Sequence, residues 1–206
     1  MTRTDQEIRL RNYFENNDYY SSFDMLNSIQ DGYDEVISFS GCIVKAVVLP
    51  FVNGLTYYDL LTLLPDYIGV ISIYNTLTNR WMCPTSERKL DKLRPDWETC
   101  YGTPELFTPI NHRYMAIYRK PNADGYGNFY IYYIASAPTL GPTDLIQIPT
   151  DYVNALEDYC ITDLQEQAQE FTKALTRFSS YQENLAQLQR WAKSSRQPDR
   201  LPNLRG

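Results

Sequence analysis

A chain of 206 residues, 43% apolar and 21% charged, is long enough to bury a core and too apolar for wholesale disorder. Its formal net charge of −6 argues against a nucleic-acid reader, which needs a broad basic face. It has no run of about 18 apolar residues, so no transmembrane helix is expected, and its polar, acidic opening lacks the basic-then-apolar order of a signal peptide.

Residues 1–41 carry three basic and eight acidic groups and read as two helices. In "TDQEIRLRNYFENND", Thr4 ahead of Glu7 suggests a capping box, and Ile8, Tyr13 and Phe14 share a helical face. "NNDYY" ends that helix. In the second, Phe23, Leu26, Ile29 or Gln30, Tyr33, Val36 and Ile37 recur at helical spacing. Ser22 is placed to cap it and Gly41 to end it, while Gly32 weakens its middle.

From Cys42 to Pro149 the texture changes to short β-branched and aromatic runs: "CIVKAVVLPF", "LTYYDLLTL", "DYIGVISIYNT", "HRYMAIYRK" and "GNFYIYYIAS". "YRKPNADGYGNFYIYY" predicts a hairpin across a loop holding Pro121, Asn122, Asp124, Gly125 and Gly127. "PTSERKLDKLRPDWE" predicts a short helix opening at Thr85 or Ser86 and stopped by Pro95. Tyrosine is abundant, 18 against 8 Phe, which suits strands and half-wet interfaces.

Thr150 to Lys193 contains neither Gly nor Pro, and Thr150 is placed as a cap. Val153, Leu156, Cys160, Leu164, Ala168, Phe171, Leu175, Phe178, Leu185 and Leu188 recur at threes and fours, with Gln182 breaking the stripe near "SSYQ". As one helix this stretch would run about 65 Å at 1.5 Å per residue. That length predicts either a bend near Ser179–Ser180 or packing against further copies. Residues 190–206 carry five basic groups and one acidic, with two prolines and only Leu201 and Leu204 as apolar anchors.

The chemistry-bearing residues assemble no catalytic team. His112 is the single histidine and heads a strand, and Cys42, Cys83, Cys100 and Cys160 are scattered, which reads as free thiols in a reducing compartment. No His/Cys metal set and no phosphate-cradling or nucleophile-elbow motif is present. The acidic residues of "ERKLDK" and "DYCITDLQEQ" read as solvated helix faces, and "RYMAIYRK" as an amphipathic strand rather than a base-stacking platform. A non-enzymatic protein without cofactor or metal is expected.

The predicted fold is α+β: a helical bundle with a long C-terminal helix, a central, mostly antiparallel β-rich insertion and an extended C-terminal arm. Its segments are the N-terminal helices (1–41), the insertion with one short helix (42–149), the long helix packing on the N-terminal ones (150–193) and the basic tail (194–206).

The order of these features is similar to that of the head-to-tail adaptor (connector, or head-completion) proteins of tailed bacteriophages. The resemblance is carried by Arg80, Leu90, Pro95, Asp96, Trp97, Tyr118, Pro121, Tyr132, Tyr133 and Pro138, then by Ile148, Pro149, Tyr152, Ala155, Leu156 and Tyr159. It covers residues 70–190 well and the N-terminal helices loosely. "GCIVKAVVLPFVNGLTYYDLLTLLPDYIGV" departs from the frame and predicts extra sheet.

The resemblance implies a virion structural protein, assembled in the host cytoplasm and placed at the portal–tail junction without contact to membrane. It implies a homo-oligomeric ring, a dodecamer, binding the portal protein above and a tail or nozzle protein below, with genomic DNA only as passing cargo in its channel. The basic tail then becomes a portal-binding arm of Arg190, Trp191, Lys193, Arg196, Arg200, Leu201, Leu204 and Arg205. Ring neighbours would pack on Leu164, Phe171, Leu175, Phe178, Leu185 and Leu188. Two alternatives stand beside it: another neck or tail component (a tail-tube or head-closure protein), and a small ligand-binding domain using the Tyr-rich sheet.

Overall fold

Thr2 and Ser21 open the first two helices by the same device. In α1 (Arg3–Tyr13) the Thr2 hydroxyl accepts from the Asp5 amide at 3.1 Å, and the Asp5 carboxylate accepts from the Thr2 amide at 2.8 Å. The box is therefore Thr2/Asp5, not Thr4/Glu7, and the Thr4 hydroxyl donates instead to the Pro142 carbonyl. In α2 (Ser22–Ser40) Ser21 and Asp24 form the box, one residue ahead of the expected Ser22. Gly41 ends α2 as expected, at φ 59°, where a side chain would be strained.

The computed structural model describes residues 1–15, 19–122 and 127–196, and these fall into two compact units. The helical unit takes residues 1–43 and those from 136 onward; the β-rich unit takes 44–135.

The helical unit continues with a 3₁₀ turn at Thr150–Tyr152, α5 (Val153–Gln167) and α6 (Phe171–Ser195). The chain bends at residues 168–170, where Gln169 adopts φ 61°, and α6 runs unbroken through Ser179–Ser180. No Gly or Pro marks that elbow, so the sequence hides it. The two helices lie antiparallel: Tyr152 faces Trp191 at 5.8 Å between ring centroids, and Tyr159 faces Tyr181 at 5.6 Å. The buried Asp158 carboxylate accepts from Arg177 at 3.1 Å and from Asn184 at 2.8 Å, clamping α6 onto α5. Met25, Ile29, Tyr33, Val36 and Ile37 of α2 supply the other side of the core. Gly32 is required by closeness: a Cβ there would meet the Tyr159 ring at 2.5 Å.

Residues 136–149, expected in the β-rich insertion, belong to the helical unit. They strap the start of α1 and the middle of α2. Arg3 donates to the Leu140 carbonyl at 2.6 Å, the Leu140 amide donates to Gln30 at 2.9 Å, and the Gln147 amide donates to the Tyr33 hydroxyl at 3.2 Å.

In the β-rich unit the strands are β1 (Val44–Pro50), β2 (Tyr57–Asp59), β3 (Tyr67–Asn75), β4 (Arg80–Trp81), β5 (Cys83–Pro84), β6 (Leu106–Ile110), β7 (Tyr114–Tyr118) and β8 (Asn128–Ala135). A one-turn helix α3 (Leu60–Leu63) follows β2, and α4 (Glu87–Leu93) follows β5. Ser86 precedes α4 and Pro95 follows it, as expected.

The strands build two four-stranded sheets, ordered β1-β8-β3-β4 and β2-β7-β6-β5. Every pairing is antiparallel except β5 with β6. The predicted hairpin is thereby corrected: β7 pairs with β2 and β6, whereas β8 pairs with β1 and β3. The spacer between Tyr118 and Asn128 exceeds the two to five residues typical of hairpin loops. Phe129, Ile131, Tyr133 and Ala135 of β8 are all buried, as suits an interior strand.

Candidate functional site

Among the described residues no group of three or more His, Cys, Asp or Glu is arranged to hold a metal ion, and no helix is long and apolar enough to cross a membrane. The informative features are surfaces. Residues that carried the family resemblance lie mainly inside: Leu90, Trp97, Tyr118, Tyr132, Tyr133, Ile148, Ala155 and Leu156 are buried. Leu90 of α4 packs in one cluster with Trp97, Cys100, Ala116 and Tyr118. The indole N–H of Trp97 donates to Asp91 at 3.0 Å. That motif therefore fixes α4 on the sheet and leaves its opposite face to solvent.

The residues proposed for ring-neighbour packing separate into two sets. Leu164 and Leu188 are fully buried and Leu185 is half-buried, so the bundle itself uses them. Phe171, Leu175 and Phe178, at i, i+4 and i+7 on α6, are 65%, 68% and 40% exposed. An apolar stripe of that size left to water is a candidate contact surface. Tyr13 of α1 meets a different face of α6, where Arg177 lies over its ring at 5.0 Å and donates to its hydroxyl.

The proposed arm also divides. Arg190 and Lys193 are exposed on the last turns of α6. Trp191 is half-buried against Tyr152. The Arg196 guanidinium donates to the carbonyls of Ser40 and Gly41 at 2.5 and 2.6 Å, so it serves the C-terminus of α2, where free carbonyls favour a cation. Arg200, Leu201, Leu204 and Arg205 lie outside the described residues.

Sequence reasoning missed a cleft of about 160 Å³ in the helical unit, lined by Glu35, Tyr159, Thr162, Asp163, Glu166, Phe178 and Tyr181. Glu35 accepts from the Tyr181 hydroxyl at 2.8 Å, and Asp163 accepts from the side-chain amide Nε2 of Gln167 at 3.1 Å. Burial, reinforced by Glu35 and Asp163, pushes the Tyr159 phenol upward, and burial together with the Glu35 bond does the same to Tyr181. Both rings stay neutral at physiological pH. The only signal in the sequence was the 159-163-166 spacing within "DYCITDLQEQ", which reads equally well as a solvated face.

The β-rich unit adds an aromatic sheet face. Trp81 lies 5.3 Å from Tyr74 and 5.5 Å from Tyr132, with Val44, Ala46 and Val48 of edge strand β1 exposed on the same side. The register places these β1 residues opposite Ile134, Tyr132 and Tyr130, and no charged side chain interrupts the face. The extra apolar segment therefore does build sheet. Cys83 is exposed, Cys42 half-buried, and Cys100 and Cys160 buried, all as free thiols.

No curated protein matches the chain. The family model described as SU10 adaptor protein matches residues 1–202. That match spans the sequence of both units and is consistent with a bacteriophage head-to-tail adaptor, a structural family rather than a known enzyme family. The chain thus belongs to the SU10 adaptor protein family.

Proposed function

We propose that the protein is a structural part of the virion neck, forming a ring that joins the portal to the tail and surrounds the path of the DNA. The observation that carries this reading is the family match over residues 1–202. The uncovered stripe of Phe171, Leu175 and Phe178 supports it, because a ring neighbour would bury apolar side chains that the chain leaves in water. Charge supports it too. The helical unit holds 17 acidic and 10 basic residues, a balance that disfavours sticking to passing DNA.

In this reading the segment beyond Arg196, with Arg200 and Arg205 as cations and Leu201 and Leu204 as anchors, lies on an acidic surface of the portal. Exposed Arg190 and Lys193 extend that contact. Each exposed ion pair contributes only about 0–1 kcal/mol, so the arm depends on repetition around the ring. Arg196 and Trp191 do not join the arm; they fix the place from which it leaves.

Co-sedimentation with the portal protein at near-physiological salt tests the arm, comparing the full chain with residues 1–196. This cut keeps the Arg196 clamp and the Trp191 packing intact. Binding by the full chain and its loss in the shortened one are expected. Equal binding by both would remove the arm from the reading. Binding to tail components alone would favour a tail-tube or head-closure role.

A further inference from the structure

Helix α4 and the α2–α5–α6 cleft are complementary in charge and in apolar content. At about 100° per residue, Lys89, Lys92 and Leu93 share one face of α4, and Glu87 and Asp91 lie on the other. Asp91 is engaged by the Trp97 indole. Leu93 is 69% exposed, and neither lysine forms an ion pair among the described residues. The cleft is the converse. Glu35, Asp163 and Glu166 surround it with no ion pair among the described residues, and its walls are the rings of Tyr159, Phe178 and Tyr181. Carboxylates gathered beside aromatic faces attract an ammonium by charge and by the ring quadrupole together. Phe178, at the mouth, leads into the exposed Leu175 and Phe171.

We infer that α4 of one copy docks in the α2–α5–α6 cleft of the next copy. Leu93 packs on Phe178, and Lys89 and Lys92 reach the carboxylates of Glu35, Asp163 and Glu166. The two patches are different surfaces, one on each unit, so the contact is head-to-tail. Such contacts generate closed rings when the rotation closes, rather than symmetric pairs. The unit totals agree in sign, with 9 basic and 8 acidic residues in the β-rich unit against 10 and 17 in the helical one. The inference rests on the ring reading above and names the surfaces that the ring would use.

Charge exchange tests it. The full chain is mixed with portal protein over a concentration series, and ring formation is counted by electron microscopy. Lys89→Glu with Lys92→Glu should raise the concentration for half-assembly at least about tenfold, and so should Asp163→Lys with Glu166→Lys. All four changes in one chain restore opposite charges across the contact and should recover most of the loss. Circular dichroism confirms that each variant is folded, which is expected because all four positions lie at the protein surface or the rim of the cleft. Rings formed equally well by the Lys89→Glu/Lys92→Glu chain would overturn this contact and leave the ring standing. A fourfold variant no better than either pair would also overturn it. A wild-type chain that makes no ring removes the ring reading, and the contact with it.

Discussion

Replacing Gly32 by Ala sets two known effects of opposite sign against each other. In a helix interior Ala is better than Gly by about 1 kcal/mol, so an uncrowded site would gain stability. Position 32 is crowded: the new Cβ would lie 2.5 Å from Cδ1 of Tyr159 and 3.0 Å from Cδ1 of Leu156. Overpacking of this kind costs about 1–3 kcal/mol. The Tyr159 ring packs edge-on against Tyr181 at 5.6 Å between centroids, so moving it aside disturbs the α5–α6 contact. The net expectation is a loss of about 0–2 kcal/mol, or up to about 8 °C in Tm at about 2–4 °C per kcal/mol for a chain of this size. Thermal unfolding followed by circular dichroism at 222 nm measures it. A variant more stable than wild type by about 1 kcal/mol would refute the argument that Gly32 is held by packing against α5. Because Tyr159 also walls the cleft, the same substitution should weaken ring formation beyond what its loss of stability explains.

Three more expectations follow from the geometry. Gln6 is fully buried, and neither polar atom of its side chain finds a hydrogen-bond partner among the described residues; Gln6→Leu should stabilise the chain by about 1–3 kcal/mol, and a lowered Tm would show that the amide is satisfied. Burial alone would raise the Asp66 carboxyl, but Lys45 at 2.5 Å and the Tyr133 hydroxyl at 3.0 Å outweigh it and hold Asp66 below its ordinary value. The unfolded chain then binds more protons in that window, so the contribution is full above about pH 4 and is lost as pH falls through the lowered value. Asp66→Asn should flatten the acid limb of Tm against pH, and an unchanged limb would count against the pairing. Of the four thiols, Cys83 should react with a disulfide reagent in the native state, whereas Cys100 and Cys160 should wait for unfolding. Rapid labelling of Cys160, whose thiol burial pushes upward, would contradict its place between α2 and α5.

Much of the architecture was legible because it rests on local chemistry. Gly41, Ser86 and Pro95 mark helix ends, and the aromatic β-branched runs became strands. The caps slipped by one or two residues because Thr and Ser recur near both starts. An acidic residue follows three places after Ser21 but not Ser22. Thr2 and Thr4 both have one, and a tertiary contact decides, the Thr4 hydroxyl donating to the Pro142 carbonyl. The β7–β8 hairpin was misread because a Gly- and Asn-rich spacer signals a turn but not which sheet the chain enters next. The elbow at Gln169 was invisible, since nothing in the composition of residues 150–193 disfavours continuation; tertiary packing of α6 on α5, through Asp158, Arg177 and Asn184, decides it. For the same reason the apolar repeat could not separate Leu164 and Leu188, which face inward, from Phe171 and Leu175, which face water. Arg196 was read by its charge as part of a free arm, whereas its position beside the carbonyls at the end of α2 gives it a capping role. The cleft depends on three helices from distant parts of the chain, so no single stretch announced it.

The central claim, an adaptor ring on the portal, is tested most directly by imaging the full-length chain mixed with its portal protein at near-physiological salt. The account predicts a ring of copies coaxial with the portal. A chain that stays monomeric and leaves the portal bare across the concentration series would contradict it.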